Sequence, residues 1–174
     1  MKSLTIPKLP KLSIFVLGES GVGKSSLISA YLGSDPPSQP TVGIDCQGSV
    51  LEVNGGDMYV HFFDVSGNPM FNEISNEFYS DSHGFLIVFD ITNKQSFSQL
   101  SRWLTEGKEA HADFGTAVLI GNKSDSGKPA VGLQDIKQFT KTLGIQYFQA
   151  SAKTGENVRE AIDSLCELAS FKAK

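Results

Sequence analysis

The sequence has few cysteines, and the two that it contains, Cys46 and Cys166, lie far apart among its 174 residues. They form no CxxC-type pair, so their spacing gives no support to a structural zinc site, which needs several closely placed ligands. A domain of this size can bury enough core to fold without a disulfide. We therefore expect two reduced thiols and an intracellular protein.

Long hydrophobic runs are also missing. Pro7 and Pro10 interrupt the few apolar residues of the N-terminal segment, which excludes the pattern of a signal peptide, and no run approaches the length that spans a bilayer. Lys2 follows Met1, which excludes the myristoylation pattern, and residues 170–174 hold no cysteine for prenylation. We predict a flexible extension over residues 1–10 and no direct lipid anchor in this chain.

An excess of positive charge is the third feature that the sequence lacks. The formal net charge is -4, so no broad electrostatic attraction for nucleic acid or anionic lipid is expected. Hydrophobic residues make up 40% and charged residues 20%, the composition of an ordinary globular protein. With no internal repeat and no linker, residues 11–174 are predicted to form a single domain.

The apolar runs that are present alternate with amphipathic stretches. Residues 12–17, 85–89 and 117–120 are typical of strands that are covered on both faces of a parallel sheet. Residues 50–53 and 59–63 flank a turn signal and predict a hairpin. Helical spacing relates Phe97, Leu100 and Leu104, and again Val158, Ile162, Leu165 and Ala169. With a short strand at 145–148, this order predicts a three-layer α/β fold: a mostly parallel six-stranded sheet with one antiparallel edge strand and helices on both faces.

A glycine-rich segment follows the first strand and opens the first helix. Residues 18–25 fit GxxxxGK[ST], in which glycines let backbone N–H groups approach a phosphate chain and the helix N-terminus faces the same anion. We expect Lys24 to reach the β- and γ-phosphates and the Ser25 hydroxyl to ligate Mg²⁺. The predicted phosphate-binding residues are Glu19, Ser20, Gly21, Val22, Gly23, Lys24, Ser25 and Ser26.

Two later segments indicate which base is bound. Residues 122–125, NKSD, follow the strand at 117–120, and the Asp125 carboxylate suits guanine because it accepts from both N1–H and the exocyclic amine. Adenine would leave that carboxylate unpaired, at a cost of about 1–3 kcal/mol for the lost bonds. Residues 151–153, SAK, follow the strand at 145–148 and support the same site. The predicted base-binding residues are Asn122, Lys123, Asp125, Ser151, Ala152 and Lys153.

A metal site is predicted beside the phosphates. Residues 64–67 fit DxxG after the strand at 59–63. We expect Asp64 to hold Mg²⁺ through water and the Gly67 N–H to contact a γ-phosphate. Thr41, between the first helix and the hairpin, is expected to supply a second hydroxyl. Ser25, Thr41 and Asp64 are therefore the predicted metal residues.

The ordered set GxxxxGKS, Thr41, DxxG, NKSD and SAK, from about residue 12 to 171, resembles the small GTPases of the Ras superfamily. Residues 41–45 and 150–158 resemble the Rab branch, and residues 62–71 and 76–79 are similar to an atypical Rab-like group called RJL, some members of which carry a J domain. The resemblance implies a P-loop G domain over residues 11–174, with Mg²⁺ and GTP or GDP bound. It implies catalytic roles for Lys24, Thr41, Gly67 and Asn68.

The sequence departs from the family pattern at Asn68, where most members have glutamine to orient the attacking water. Asparagine is one methylene shorter, and Pro69 restricts its backbone. Because phosphoryl transfer depends on positioning and charge stabilisation, we predict slow GTP hydrolysis. The alternative is a non-catalytic, constitutively GTP-loaded interaction scaffold. A third hypothesis, an adenine-specific ATPase or kinase, is disfavoured by Asp125.

The first switch also departs from the family pattern. It is two residues shorter between Ser25 and Thr41, is rich in proline, and has no aromatic residue where one usually packs beside the guanine; Tyr31 is the nearest candidate, or else the buried end of the first helix. The resemblance implies an effector, an exchange factor and a hydrolysis activator that contact residues 34–45 and 64–80. It also implies a cytoplasmic location, with partners recruiting the protein to membranes or to a cilium or flagellum.

Overall fold

The computed structural model of the protein describes residues 8–66 and 72–173, with the backbone alone for residues 72–76. The strands are β1 (Lys11–Leu17), β2 (Ile44–Val53), β3 (Gly56–Val65), β4 (Gly84–Asp90), β5 (Ala117–Asn122) and β6 (Gln146–Gln149). The helices are α1 (Lys24–Leu32), α2 (Asn72–Asp81), α3 (Lys94–Ser98), α4 (Leu100–Glu109), α5 (Leu133–Leu143) and α6 (Val158–Ser170). The predicted extension over residues 1–10 lies mostly outside this part, although the Pro10 carbonyl accepts from the Tyr59 N–H at 2.9 Å.

The strands form one six-stranded sheet in the order β2-β3-β1-β4-β5-β6. Strand β2 is antiparallel to β3, and every other pair is parallel, which confirms the predicted fold class. The hairpin is longer than predicted: β2 begins at Ile44, and the turn is confined to Asn54 and Gly55, both with the positive φ that a two-residue turn requires. The Asn54 side chain donates to Glu167 O at 3.1 Å and to Ser170 Oγ at 2.8 Å, which ties the turn to α6.

The core lies on both faces of the sheet, as the near-continuous apolar strands predict. Alternate residues of β1 face opposite ways: Ile14 and Val16 pack into the cluster covered by α1 and α6, whereas Phe15 and Leu17 pack into the cluster covered by α2, α4 and α5. All of β4 and β5 is buried. The three layers leave the carboxyl ends of β1, β3, β4, β5 and β6 at one edge, where ligands bind in sheets of this kind.

The segment after β4 differs from its prediction in detail. The spacing of Phe97, Leu100 and Leu104 predicts one continuous helix, whereas the structure has a short α3, with Asn93 as its N-cap, and a separate α4 after Gln99. Trp103 is 1% exposed and packs in the core. Among the described residues, no helix combines the length and the apolar character needed to cross a membrane.

Candidate functional site

The predicted phosphate loop, residues 18–25, joins β1 to α1 and borders a cleft of about 300 Å³. One side of the cleft is formed by Ser20, Gly21, Gly23, Lys24, Ser25 and Ser26. The other side is formed by residues 37–41 and Ser66. The structure therefore brings the loop, the segment around Thr41 and the end of β3 around one concavity.

Lys24 begins α1 and turns back into the loop. Its side chain is buried, and its Nζ donates to the carbonyls of Gly18 at 3.0 Å and Glu19 at 3.1 Å. Burial lowers the pKa of Lys24, while the negative charges of Asp64 and Glu19 act in the opposite direction. Because its hydrogen-bond acceptors are neutral carbonyls, this cation would gain a stronger partner from an anion that enters the cleft.

Two glycines allow the loop to follow this path. Gly18 has φ 144°, and a Cβ at this position would lie 2.2 Å from the Val88 carbonyl oxygen of β4. Gly23 has φ 97°, and its Cβ would lie 2.2 Å from Asn122 Nδ2. Since both positions combine a left-handed backbone with a contact that excludes a side chain, the sequence requires glycine there.

The three predicted metal residues lie together. The Ser25 hydroxyl is 2.9 Å from Thr41 Oγ1 and donates to Asp64 Oδ2, and Thr41 Oγ1 lies 3.2 Å from the same carboxylate oxygen. Asp64 is fully buried, and among the described residues its Oδ1 has no hydrogen-bond partner. Burial raises the pKa of Asp64, and the hydrogen bonds from Ser25 and Thr41 and the charge of Lys24 oppose that effect. Convergent oxygen donors with one uncompensated carboxylate oxygen fit a hard cation such as Mg²⁺.

One backbone hydrogen bond joins the two segments that flank this set. The Ser66 N–H donates to the Gly43 carbonyl at 2.7 Å, so the end of β3 is fastened to the start of β2. Ser66 is buried and lines the cleft. The predicted catalytic residues Gly67 and Asn68 lie outside the described residues.

A second cleft, of about 630 Å³, adjoins the first at Gly23 and Ser26. We call the first the phosphate cleft and the second the base cleft, after the predicted roles of the residues that line them. Five of the predicted base-binding residues line the base cleft: the buried Asn122, and Lys123, Asp125, Ala152 and Lys153. Residues 30, 33, 34, 36, 126, 154 and 155 complete the lining and were not predicted from the sequence. They come from the end of α1, from the segment that follows it and from the residues directly after NKSD and SAK, and the packing shows that they line the cleft.

Asn122 and Lys123 connect the base cleft to the phosphate loop. The Asn122 amide donates to Val22 O at 2.8 Å, and its oxygen accepts from the Ala152 N–H at 3.0 Å. Lys123, with a φ of 70°, donates to Gly21 O at 2.7 Å. Both side chains therefore hold segments of the site together.

Asp90 is a site residue that the sequence analysis missed. It closes β4, and its Oδ2 lies 2.8 Å from Lys123 Nζ, while its Oδ1 accepts from the N–H and the hydroxyl of Thr92. Burial alone would raise the pKa of Asp90, but the bonds from Lys123 and Thr92 lower it overall. One feature of the sequence indicates its role: Asp90 is a single carboxylate at the carboxyl end of an otherwise apolar strand, where ligands bind.

Asp125 is exposed at the rim of the base cleft, and two serine hydroxyls orient its carboxylate. The buried Ser151 hydroxyl donates to Asp125 Oδ1 at 2.5 Å, and Ser126 donates to Oδ2 at 3.3 Å. The Ser151 bond is the main cause of the lowered pKa of Asp125, which stays ionised at neutral pH. A charged acceptor held at the cleft rim suits paired N–H donors of a base.

Three of the predicted residues line neither cleft with their side chains. Val22 packs in the core, and Ser151 lies behind Asp125. Glu19 turns its carboxylate away toward α4, where it accepts from Arg102 and Trp103. Only the backbone of Glu19 remains part of the phosphate loop.

Tyr31 is the buried end of the first helix rather than a residue beside the base. Its hydroxyl donates to Asp163 of α6 at 2.6 Å, its ring meets Phe62 at a centroid distance of 5.8 Å, and the Arg159 guanidinium lies 5.6 Å from the ring centroid. Burial and the Asp163 bond raise its pKa. These contacts place Tyr31 between α1 and α6, away from both clefts.

Comparison with known proteins gives a consistent result. The family model described as Ras family matches residues 13–170. Ras-related protein Rab-26 of Bos taurus is 35% identical over 160 residues, which cover 88% of this chain and 62% of that protein, and the Homo sapiens protein of the same name is 34% identical with the same coverage. Ras-related protein SEC4 of Saccharomyces cerevisiae is 30% identical over 159 residues, covering 90% and 74% respectively. The chain thus spans less than two thirds of the length of the Rab-26 relatives.

Proposed function

The chain belongs to the Ras family, and we propose that it is a Rab-like small GTPase, a molecular switch that binds GTP or GDP with Mg²⁺. The observation that carries the proposal is the junction of two clefts, one formed by a phosphate loop and the other bearing an ionised Asp125 at its rim. A guanine nucleotide matches this pairing, because its phosphates fit the loop and the two N–H donors of its base fit the Asp125 carboxylate.

The chain's own groups divide the work of binding. The loop N–H groups would donate to phosphate oxygens and Lys24 would neutralise part of their charge, while Asn122 and Lys123 keep the loop next to the base cleft. Ser25, Thr41 and Asp64 would hold Mg²⁺, which when bound supplies positive charge beside the phosphates. Segments 34–45 and 64–80 are the proposed switches and the contact sites for effector, exchange factor and hydrolysis activator. The Ser66–Gly43 bond joins the two switches.

Base specificity is tested by exchanging the acceptor at the rim. Asp125→Asn removes the carboxylate that accepts from guanine N1–H and the exocyclic amine, so GDP affinity should fall by about 10- to 100-fold. The new side-chain amide can donate to the C2 oxygen of xanthine, so affinity for XDP should rise. Competition against a fluorescent GDP analogue measures both changes. Undiminished GDP binding by this variant, or displacement of GDP by ATP from the wild type, would refute the guanine assignment.

We further propose that hydrolysis is slow, because Asn68 stands where a water-orienting glutamine is usual and Pro69 constrains it. Single-turnover hydrolysis should therefore be faster in Asn68→Gln than in the wild type. Equal rates would refute this part alone. A wild-type protein that purifies with GTP and turns over none of it would favour the second candidate, a GTP-loaded interaction scaffold.

The remaining assignments rest on the sequence. The segments at 62–71 and 76–79 support placement in the RJL group, and residues 11–174 are proposed as one G domain after an N-terminal extension. We propose a cytoplasmic protein that partners recruit to membranes or to a cilium or flagellum. Localisation of the tagged full-length protein, with and without Thr41→Ala to disable the first switch, tests whether recruitment depends on the nucleotide state.

A further inference from the structure

The acidic side chain of the phosphate loop is held away from the phosphate cleft. Within residues 18–25, Glu19 is the one acidic residue. Its Oε1 accepts from Arg102 Nη2 at 2.7 Å and from Trp103 Nε1 at 3.1 Å, two neighbouring residues of α4. The same residue's carbonyl accepts from Lys24 Nζ at 3.1 Å. Glu19 is thus fixed on one side by α4 and on the other by the lysine that faces the cleft.

The surroundings of Trp103 and Arg102 favour their hydrogen bonds to the Glu19 carboxylate. Trp103 is 1% exposed, and a buried indole N–H requires an acceptor, which Glu19 provides. The Arg102 guanidinium lies 5.0 Å from the Trp103 ring centroid, and its Nε lies 3.6 Å from Glu106 one turn further along α4. The ion-paired side chains of Arg102 and Glu19 are 32% and 27% exposed, so solvent screens the pair only partly.

This arrangement has an electrostatic consequence for a site that binds anions. A carboxylate next to a phosphate chain repels it, and the repulsion is stronger where the surroundings exclude water. Arg102 supplies a compensating positive charge, and its hydrogen bond holds the Glu19 carboxylate toward α4. Its second acidic neighbour, Glu106, is 3.6 Å away, so the geometry favours Glu19 as the stronger partner.

We propose that Arg102 is a positioning residue for nucleotide binding: with Trp103, it neutralises Glu19 and turns it away from the phosphate cleft. The proposal rests on the proposed function insofar as the anion is the phosphate chain of a guanine nucleotide. Arg102 does not touch the cleft, and it acts through the position and charge of Glu19.

The test compares dissociation rates of a fluorescent GDP analogue from the wild type, four variants and one control variant. Arg102→Gln leaves Glu19 charged and held by Trp103 alone, without a compensating cation, and we expect release about tenfold faster, the ratio that corresponds to about 1.4 kcal/mol. Arg102→Lys keeps the charge and should release GDP within about threefold of the wild-type rate. Glu19→Gln, alone or combined with Arg102→Gln, should remain within about threefold of the wild type because the repelling charge is gone.

Lys108→Gln is the matched control. Lys108 is an exposed cation on the same helix, and its loss changes the net charge by the same amount without affecting the loop. A wild-type rate is expected for this variant. Rapid release by Lys108→Gln would assign the effect to net charge and overturn the proposal, as would unchanged release by Arg102→Gln or equally fast release by the double variant. Circular dichroism of each variant shows whether it is folded.

Inorganic tripolyphosphate separates this proposal from the proposed function. If the wild type bound no guanine nucleotide, the GTPase assignment would fall, but Arg102 could still be judged by thermal stabilisation with tripolyphosphate. The role of Arg102 would be supported if tripolyphosphate stabilised the wild type and the double variant Arg102→Gln/Glu19→Gln and stabilised Arg102→Gln less. Equal stabilisation of all three would overturn it.

Discussion

Replacing Gly23 by alanine should be among the most damaging single-methyl changes in the chain. At φ 97° an alanine adopts a left-handed backbone, which costs about 1–2 kcal/mol. Its Cβ would also lie 2.2 Å from Asn122 Nδ2 and force that amide away from Val22 O, its acceptor at 2.8 Å. Loss of this buried hydrogen bond adds about 1–3 kcal/mol. The free energy of unfolding should therefore fall by about 2–5 kcal/mol.

Gly144 provides the control for backbone strain. It has φ 69° at the C-terminal end of α5, and a Cβ there meets nothing within 4 Å. Gly144→Ala should lose only the strain contribution of about 1–2 kcal/mol. Urea unfolding of nucleotide-free protein, followed by circular dichroism, measures both variants under the same conditions. The difference between them is the contribution of the contact with Asn122.

A double variant tests the assigned cause directly. In Gly23→Ala/Asn122→Ala the colliding amide is gone, so the combined loss should be smaller than the sum of the two single losses. Strict additivity would refute the reasoning. So would a Gly23→Ala variant that is no less stable than Gly144→Ala, because the loop would then have accommodated the methyl group without disturbing Asn122.

Three further predictions concern the core. Burial raises the pKa of Cys166 to about 12. The stability that its neutral thiol contributes is therefore complete below about pH 9 and is lost toward pH 12, by about 1.4 kcal/mol for each pH unit. Cys166→Ala should reduce this alkaline loss of stability in urea titrations at stepped pH. Tyr31→Phe should lose about 1–2 kcal/mol with its bond to Asp163 and leave GDP release unchanged, whereas faster release would place Tyr31 at the base. Gly107→Ala should destabilise α4 by about 1 kcal/mol in thermal unfolding, because its Cβ would lie 2.4 Å from the Phe114 ring; a gain in stability would contradict this overpacking.

The sequence predicts most of the fold because buried positions are apolar, and their spacing along the chain differs between strands and helices. Strands β4 and β5 are covered on both faces, so their apolar runs are nearly continuous, and the Asn54–Gly55 signal predicts the hairpin. The sequence also indicates that the residues predicted to bind phosphate and base lie at one edge of the sheet, because each of their segments follows a strand; Thr41, which follows a helix, is predicted only from its place in the ordered set of motifs. The fine division of α3 from α4 is not predicted, since Gln99 keeps a helical backbone and the apolar spacing of Phe97, Leu100 and Leu104 continues across it.

The connections that hold the site together could not be predicted in the same way. Glu19 and Arg102 are 83 positions apart, and Lys123 and Asp90 come from the ends of adjacent strands. A charged side chain at such a position carries no periodic signal, and many partners are possible until the strand order is known. The roles of Glu19 and Asp90 therefore emerge only from the arrangement of β1, β4, β5 and α4.

The phosphate loop has a further consequence, which concerns entropy. Five of its carbonyl groups are already occupied by donors from within the protein: Lys24 takes those of Gly18 and Glu19, Lys123 that of Gly21, Asn122 that of Val22, and the Leu27 N–H that of Gly23. The protein's own hydrogen bonds thus order this backbone, so binding need not supply the free energy of freezing a mobile loop. With these acceptors engaged elsewhere, the groups left to meet an incoming molecule are mainly donors, and the loop is preorganised for anions.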